Sequence, residues 1–498
     1  MRNFLYNEFP DWQANALGRP LPDCAHAVSV VLPRWDDVIG YEEKKPDVLA
    51  KLAGGYPRFV IHPLVAELAH RLAPGRPCLP FPSLRVAELA AEFVRRCGGE
   101  PVEIISAHAV HGVAATGGPG QAALKAFWQH TGLLVSSRQA QASLAAQPRR
   151  PAPESQRALR QQLAGLYDCS EEDVFLTPTG MAAVFAALRA LQAKFPGRPT
   201  AQLGFPYVDT LKLQQKFGHG GILLHHLGTL ENKLASLVQR ERLAGCFCEI
   251  PGNPMLGTVD LPKVAALLRQ HRIPLVVDDV VATPVNVDLK AHADLIATSL
   301  TKFFVGAGTA MGGALICPPG SPQYAELKPL VAAQHEELLW HEDAAVLETG
   351  GRDFTSRMTR HNRNGEFIAE RLRSHPAIER VWYPKWESSE VYGALRRPGG
   401  GWGALLTFLP KNPESNAARI YDALPLAKGP SLGTVFTLAC PFTLLAHYTE
   451  LEWAEACGVS RYLIRLSVGL EEPEEIWRRL EQGLAAVKTA PGMLPLTA

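Results

Sequence analysis

The sequence predicts an α/β fold: a mostly parallel sheet covered on both faces, followed by a smaller α+β C-terminal domain. Three observations lead there. From about residue 155, short apolar runs alternate with helical patterns. Two of those runs, Leu275–Asp278 and Leu295–Ser299, are apolar nearly throughout, as strands buried on both faces are. Near residue 345 the pattern changes to one long helix, a strand-rich region and a final helix.

Each element has a local justification. Residues 1–65 carry little periodicity and contain Gly54-Gly55-Tyr56-Pro57-Arg58, so they read as an arm. Residues 66–154 read as an inserted helical segment. One helix is expected over Ser83–Cys97, with Val86, Leu89, Ala90, Phe93, Val94 and Cys97 on one face and Gly98-Gly99 as its stop. A second begins near Gln121, after the breaker Gly117-Gly118-Pro119-Gly120, and Arg149-Arg150-Pro151-Ala152-Pro153 reads as a linker. The sheet domain, 155–345, holds expected strands at Asp173–Leu176, Cys246–Ile250, Leu275–Asp278 and Leu295–Ser299. Its expected helices include Thr179–Phe195 and Leu261–His271. The last domain, 346–498, opens on a helix near Asp353–Ser374 and closes on one from Pro473 to about Val487. No internal repeat is visible.

Composition narrows the function. The 498 residues carry 50 basic and 49 acidic side chains, which argues against a nucleic-acid surface or a polybasic membrane anchor. Met1–Gln13 lacks the apolar stretch of a secretory signal, and the run Pro274–Val281 is too short to span a bilayer. Nine cysteines are scattered with no CxxC pair, which suits reduced thiols in a cytoplasmic protein and offers no zinc-ligand spacing. Cys246 and Cys248 alternate on a strand and read as a packed core pair. His108 with His111, and His225-His226, lack the acidic or cysteine company of a metal site. No metal is expected.

The chemistry centres on Ser299-Leu300-Thr301-Lys302, directly after the apolar run Leu295-Ile296-Ala297. This places a lysine at the carboxyl end of a buried strand, the edge at which open α/β sheets bind ligands. A lysine there can form an imine with an aldehyde cofactor. The Ser299 and Thr301 hydroxyls, two residues apart, would both reach a phosphate. Alone, the plainer reading is a surface lysine at a strand end. Twenty-four residues earlier, Val276-Val277-Asp278 closes another buried strand with an acid that needs a partner; helix capping is the plainer alternative, which Asp279 could fill. Thr179-Gly180-Met181-Ala182-Ala183 lies between a strand and a helix, where a glycine lets backbone N–H groups approach an anion.

These motifs, with Glu249-Ile250-Pro251-Gly252-Asn253-Pro254, Ser431-Leu432-Gly433 and Arg465-Leu466-Ser467-Val468-Gly469, occur in order and at fitting spacing. Together they resemble the Cys/Met-metabolism family of fold-type-I enzymes that use pyridoxal 5'-phosphate (PLP). The resemblance covers about residues 155–490 and a segment of the arm. It implies that Lys302 is the Schiff-base and proton-carrying lysine and that Asp278 pairs with the pyridine nitrogen. It implies phosphate binding by Gly180, Met181, Ser299 and Thr301, and stacking on the ring by Tyr207. Asn253 would sit near the ring hydroxyl and the substrate carboxylate, beside Ser431, and Arg465 would bind that carboxylate. Tyr56 and Arg58 are similar to the family's Tyr-x-Arg, which reaches a neighbouring subunit's cofactor phosphate. A homodimer or tetramer with shared sites is therefore expected, acting on small amino-acid substrates.

Some residues depart from the family pattern. Asp279 stands where many members have Asn, and Tyr207-Val208-Asp209-Thr210 replaces the common Tyr-Gly-Gly-Thr. The distance from Arg58 to Gly180 far exceeds that of compact members. The extra length, with Pro33-Arg34-Trp35, Phe127-Trp128-Gln129-His130-Thr131-Gly132 and Lys428-Gly429-Pro430-Ser431, is similar to the longer cystathionine γ-synthases typical of fungi. A transferase replacing the γ-substituent of an O-acyl-L-homoserine with L-cysteine is the implied reaction. The rivals are an O-acylhomoserine sulfhydrylase, a cystathionine lyase, or a non-catalytic PLP-binding regulatory protein.

Overall fold

The computed structural model describes residues 13–99, 101–107, 110–147 and 153–487. Its main sheet has seven strands, in the order Val174–Thr177, Gly313–Ile316, Leu295–Ser299, Leu275–Asp278, Gly245–Glu249, Thr200–Leu203 and Gly221–Leu224. Gly313–Ile316 runs antiparallel to both neighbours, and the other pairings are parallel. Alternate residues feed two cores. Cys246, Cys248, Leu275, Val277 and Ile296 enter one. Phe247, Val276, Leu295 and Ala297 enter the other. Burial on both faces explains why these strands read as continuous apolar runs.

The C-terminal part carries a five-stranded sheet, in the order Ile378–Trp382, Leu405–Pro410, Ile464–Ser467, Leu438–Pro441 and Ala427–Lys428. Helix Phe354–Arg373 packs on its strands Ile378–Trp382 and Leu405–Pro410, and helix Pro473–Leu484 packs on Phe354–Arg373. The expected α+β architecture is present there.

Residues 66–154 differ from the helical segment expected. Cys78–Phe81, Val110–Ala115 and Val102–Ala107 form a three-stranded antiparallel sheet in that order. Val102, Ile104, Ile105, Val110 and Val113 supply β-branched stiffness. The strand Val102–Ala107 has no clean inside-outside alternation, so a search for periodicity misses it. The expected helix is present as Leu84–Arg96; Ser83 Oγ accepts from Val86 N–H at 3.2 Å, and Gly98 follows with φ +77°. The second helix spans Gly118–Thr131. Phe81, Phe93, Phe127 and Trp128 join the same core as helix Gly180–Lys194, so this segment shares the sheet's apolar interior. His111 Nδ1 lies 2.8 Å from Ser106 Oγ, and no group of metal-binding side chains occurs among the described residues. Residues 1–12, His108 and Arg149–Ala152 lie outside the described residues; Pro153 opens the helix Pro153–Tyr167.

The arm is more regular than its sequence suggests. Trp35–Glu42 and Pro46–Leu49 are helical, and the Asp37 carboxylate accepts from Arg34 N–H at 3.1 Å to start the first. Leu32 N–H donates to the Lys428 carbonyl at 2.9 Å, tying the arm to the C-terminal sheet. Among the described residues no helix is long and apolar enough to cross a membrane.

Candidate active site

The carboxyl ends of the central strands open into a cavity of about 1110 Å³, counted out to its mouth. The twelve residues that the resemblance puts at the site all line it. Lys302 follows strand Leu295–Ser299, and its Nζ donates to Ser431 Oγ at 2.9 Å and lies 4.5 Å from the Tyr56 ring centre. Burial lowers the lysine's pKa from its ordinary value. Ser431 holds φ at +105°, a costly conformation for a residue with a side chain, next to the lysine it accepts from. Gly433 lets this loop lie against Lys302: a Cβ there would come within 2.5 Å of Phe303 N.

Asp278 and Glu249 end adjacent strands and are paired in register. Burial pushes Asp278 up to about 6, against one backbone hydrogen bond from Val280 N–H at 2.9 Å. Burial, and then the like charge of Asp278, push Glu249 up to about 8. Asp279 does not line the cavity; its Oδ2 accepts from Tyr167 O–H at 2.7 Å. Of the two candidate acids, only Asp278 faces the cavity.

At one end of the cavity lies the N-terminus of helix Gly180–Lys194, capped where Thr179 Oγ1 accepts from Ala182 N–H at 3.1 Å. A Cβ at Gly180 would sit 2.6 Å from Ser299 Cβ, so only glycine permits this approach. Met181 and Thr301 flank it, the Thr301 hydroxyl accepting from Gly312 N–H at 3.1 Å. At another wall, Arg465 donates to Asn253 Oδ1 at 3.2 Å and to the Ser431 carbonyl at 2.6 Å, and is only 6% exposed.

The arm closes the remaining wall. Arg58 donates to the Tyr207 hydroxyl, to the Asp209 carboxylate and to the Gln129 carbonyl at 2.8 Å. Burial tends to raise the Tyr56 phenol, but the charges of Lys302 and Arg58 outweigh it and hold the phenol below its ordinary value. The resemblance puts Tyr56 and Arg58 at a neighbouring chain's site; here they line the cavity of the chain that carries them.

Sequence reasoning gave no role to Glu249, Asp209, Gln129 or His130. Asp209 had a signal, as an acid inside a motif that usually carries glycine. Gln129 and His130 stand in the stretch Phe127–Gly132 that resembles the longer family members, but their helix lines no part of the cavity, so the stretch carries no role for them.

An amine, an unpaired buried acid, a helix N-terminus with a close-approach glycine and a phenol ring share one cavity. That donor set fits an aldehyde-bearing aromatic ring with a phosphate. The raised Asp278 has a measurable consequence in cofactor-stripped protein. An acid whose folded pKa exceeds its unfolded value favours the fold at low pH, and that advantage is lost as pH rises through the folded value, here about 6. Stripped Asp278→Asn is therefore expected to exceed stripped wild type in stability by about 2 kcal/mol at pH 7.5. The gap should close towards pH 4. Urea unfolding at both pH values measures it, and a pH-independent gap would contradict the assigned burial.

A family profile described as Cys/Met metabolism PLP-dependent enzyme matches residues 128–485. The chain is 32% identical to a cystathionine γ-synthase of Neurospora crassa over 92% of this chain and 96% of that protein. It is 34% identical, over 92% and 96%, to an L-2-amino-4-chloropent-4-enoate dechlorinase/desaturase of Streptantibioticus cattleyicolor. Among solved structures, the cystathionine γ-synthase of Xanthomonas oryzae pv. oryzae in complex with cystathionine superposes with a TM-score of 0.60. It shares 25% identity, over 68% of this chain and 86% of that one.

Proposed function

Since the chain belongs to the Cys/Met-metabolism family of PLP-dependent enzymes, we propose that it joins L-cysteine to the γ-carbon of an O-acyl-L-homoserine, giving L-cystathionine. Its enzymatic character and its cofactor are those of the family: it is a PLP-dependent enzyme of the cystathionine γ-synthase and lyase type. The observation that carries the finer reading is the setting of Lys302. Its Nζ lies between Ser431 Oγ and the Tyr56 ring, with no carboxylate bonded to it, in a cavity shared with Arg465. An amine held only by the hydroxyls of Ser431 and Tyr56 can swing between two neighbouring carbons, and γ-replacement needs a base at both Cα and Cβ.

When bound, PLP supplies an aldehyde carbon for an amine and a conjugated ring that takes up the electron pair left on carbon. Gly180, Met181, Ser299 and Thr301 would hold its phosphate, with Arg58 and Tyr56 beside them. Tyr207 would lie along the ring, Asn253 near its hydroxyl, and Asp278 would keep the ring nitrogen protonated. Arg465 would hold the substrate carboxylate, and Asn253 and Ser431 fix the guanidinium in place. Lys302 Nζ would move the proton from Cα to the carbon that had been the cofactor's aldehyde and, neutral again, take one from Cβ; the acyloxy group would leave Cγ as a carboxylate, and the cysteine sulfur would add there after losing its proton. The same Nζ returns the protons. Tyr207, kept neutral by burial, offers a second proton at its hydroxyl. The apolar wall of Val208, Phe442 and Leu445 excludes water, which would otherwise divert the substrate to 2-oxobutanoate. The nine unpaired cysteines favour a reducing compartment such as the cytoplasm.

The test is product identity. Purified protein given O-acetyl- or O-succinyl-L-homoserine should form cystathionine with cysteine faster than homocysteine with sulfide. Faster sulfide use would make it a sulfhydrylase. Cleavage of cystathionine, with no synthesis, would make it a lyase. In the same assay Arg465→Ala is expected to raise KM for the acylhomoserine about 10- to 100-fold with a smaller loss in kcat, since a carboxylate–guanidinium pair mainly binds. An unchanged KM would remove Arg465 from the carboxylate.

A further inference from the structure

Arg58 is held from three sides by its own chain. It is 2% exposed and engages the Gln129 carbonyl, the Asp209 carboxylate and the Tyr207 hydroxyl. Asp209 is fully buried and is fixed in turn by His130 Nδ1 at 2.8 Å and Gln129 Nε2 at 3.3 Å. Gln129 and His130 form the last turn of helix Gly118–Thr131. Gly132, the residue just past the helix, accepts from Thr179 Oγ1 through its carbonyl at 3.0 Å, so this helix ends against the N-terminus of helix Gly180–Lys194.

The flanking chain leaves no loose tether. Before Tyr56, Val28 N–H donates to the Gly308 carbonyl and Leu32 N–H to the Lys428 carbonyl, both at 2.9 Å. After Arg58, the His62 ring lies 3.0 Å from the Ala25 carbonyl, and helix Pro63–Leu72 packs on Ser137–Leu144 and Cys78–Phe81. Asp209 occupies a motif position where glycine is common. A glycine there could not pair with a guanidinium; the acid can, and it fixes where Arg58 rests.

We propose that each chain completes its own cofactor site, with Asp209 as the positioning residue that holds Arg58, and with it Tyr56, over the Lys302 of the same chain. This rests on the reading of Lys302 as the cofactor lysine. A guanidinium has five N–H donors, so Arg58 can keep Asp209, Gln129 and Tyr207 and still donate to a phosphate.

The experiment co-expresses two differently tagged chains, one Arg58→Ala and one Lys302→Ala, and isolates hybrids by both tags, with composition checked by native mass spectrometry. PLP is titrated in, trapped with borohydride, and the adduct on the Lys302-bearing chain is quantified by peptide mass. That chain lacks its own Arg58, while its partner has one. The expected half-saturating PLP in the hybrid equals that of the Arg58→Ala homo-form, at least about tenfold above wild type, and turnover does not recover. Wild-type half-saturation or recovered turnover in the hybrid would overturn the proposal, as would an Arg58→Ala homo-form that binds PLP normally. If hybrids do not form because the chain is a monomer, tight PLP binding by that monomer supports the proposal, and binding that appears only on association overturns it.

Should Arg58→Ala unfold because Asp209 is left unpaired, the Arg58→Ala/Asp209→Ala chain replaces it and carries no orphaned charge. For the positioning role, Asp209→Ala is expected to match the tenfold rise, and Asp209→Asn, which still accepts a hydrogen bond, to keep most of the retention. Unchanged retention in Asp209→Ala would overturn that role. An adduct on a lysine other than Lys302 would instead sink the underlying site reading.

Discussion

Lys302→Ala is expected to lower turnover at least about 10⁴-fold, or ~5.5 kcal/mol of barrier. Among the described residues, Lys302 is the single lysine lining the cavity. The other cationic side chains there, Arg58 and Arg465, are guanidiniums that do not give up a proton in this pH range. Burial moves the Lys302 amine down from its ordinary value, towards the range where one group can both accept and return a proton. The adjacent phenols assist rather than replace it: Tyr207 takes a hydrogen bond from Arg58 and keeps its own proton, and Tyr56 hydrogen-bonds to the amine itself. Borohydride should attach PLP to wild-type protein at this residue and leave the variant unmodified. Retention of more than about a tenth of turnover in the variant would give the proton work to another side chain.

Asp278→Asn carries the second large effect, a turnover loss of at least about a hundredfold, or ~2.7 kcal/mol. The carboxylate ends a strand beside Glu249 and has one backbone donor, so it is poised to take a proton-bearing ring nitrogen as its main partner. Asparagine keeps the shape and removes the charge that favours the protonated ring. Because the stripped variant is expected to be the more stable protein, a lost reaction cannot be laid to a lost fold. Near-normal turnover would shift the role, although Asp279 is turned towards Tyr167.

Strands Leu275–Asp278 and Leu295–Ser299 are legible to the residue, because both faces are buried and the chain has no reason to alternate. Helices are legible to within a residue or two where a cap closes them, as at Ser83 and Thr179. The hairpin partners Val102–Ala107 and Val110–Ala115 are not, since one is half exposed without alternation and its glycine-flanked context resembles a loop. The twelve residues expected at the site follow motif order, and the fold gathers all of them around one cavity. What motifs do not carry is which chain's cavity Tyr56 and Arg58 enter. That depends on Asp209, Gln129 and His130, three residues brought together by a segment whose own sequence shows no chemistry.

The helix Gly118–Thr131 begins in the peripheral three-stranded layer and ends on the ion pair beside the cavity, yet none of the described residues between 66 and 154 lines that cavity. Its aromatic face, through Phe127 and Trp128, is at the same time part of the core beneath the main sheet. A lobe anchored at both places cannot open alone: releasing it exposes shared apolar surface and leaves a buried carboxylate without its partners. The described part of this lobe and the central sheet thus open together, and cofactor binding that favours the folded site is expected to favour the lobe's folded state as well.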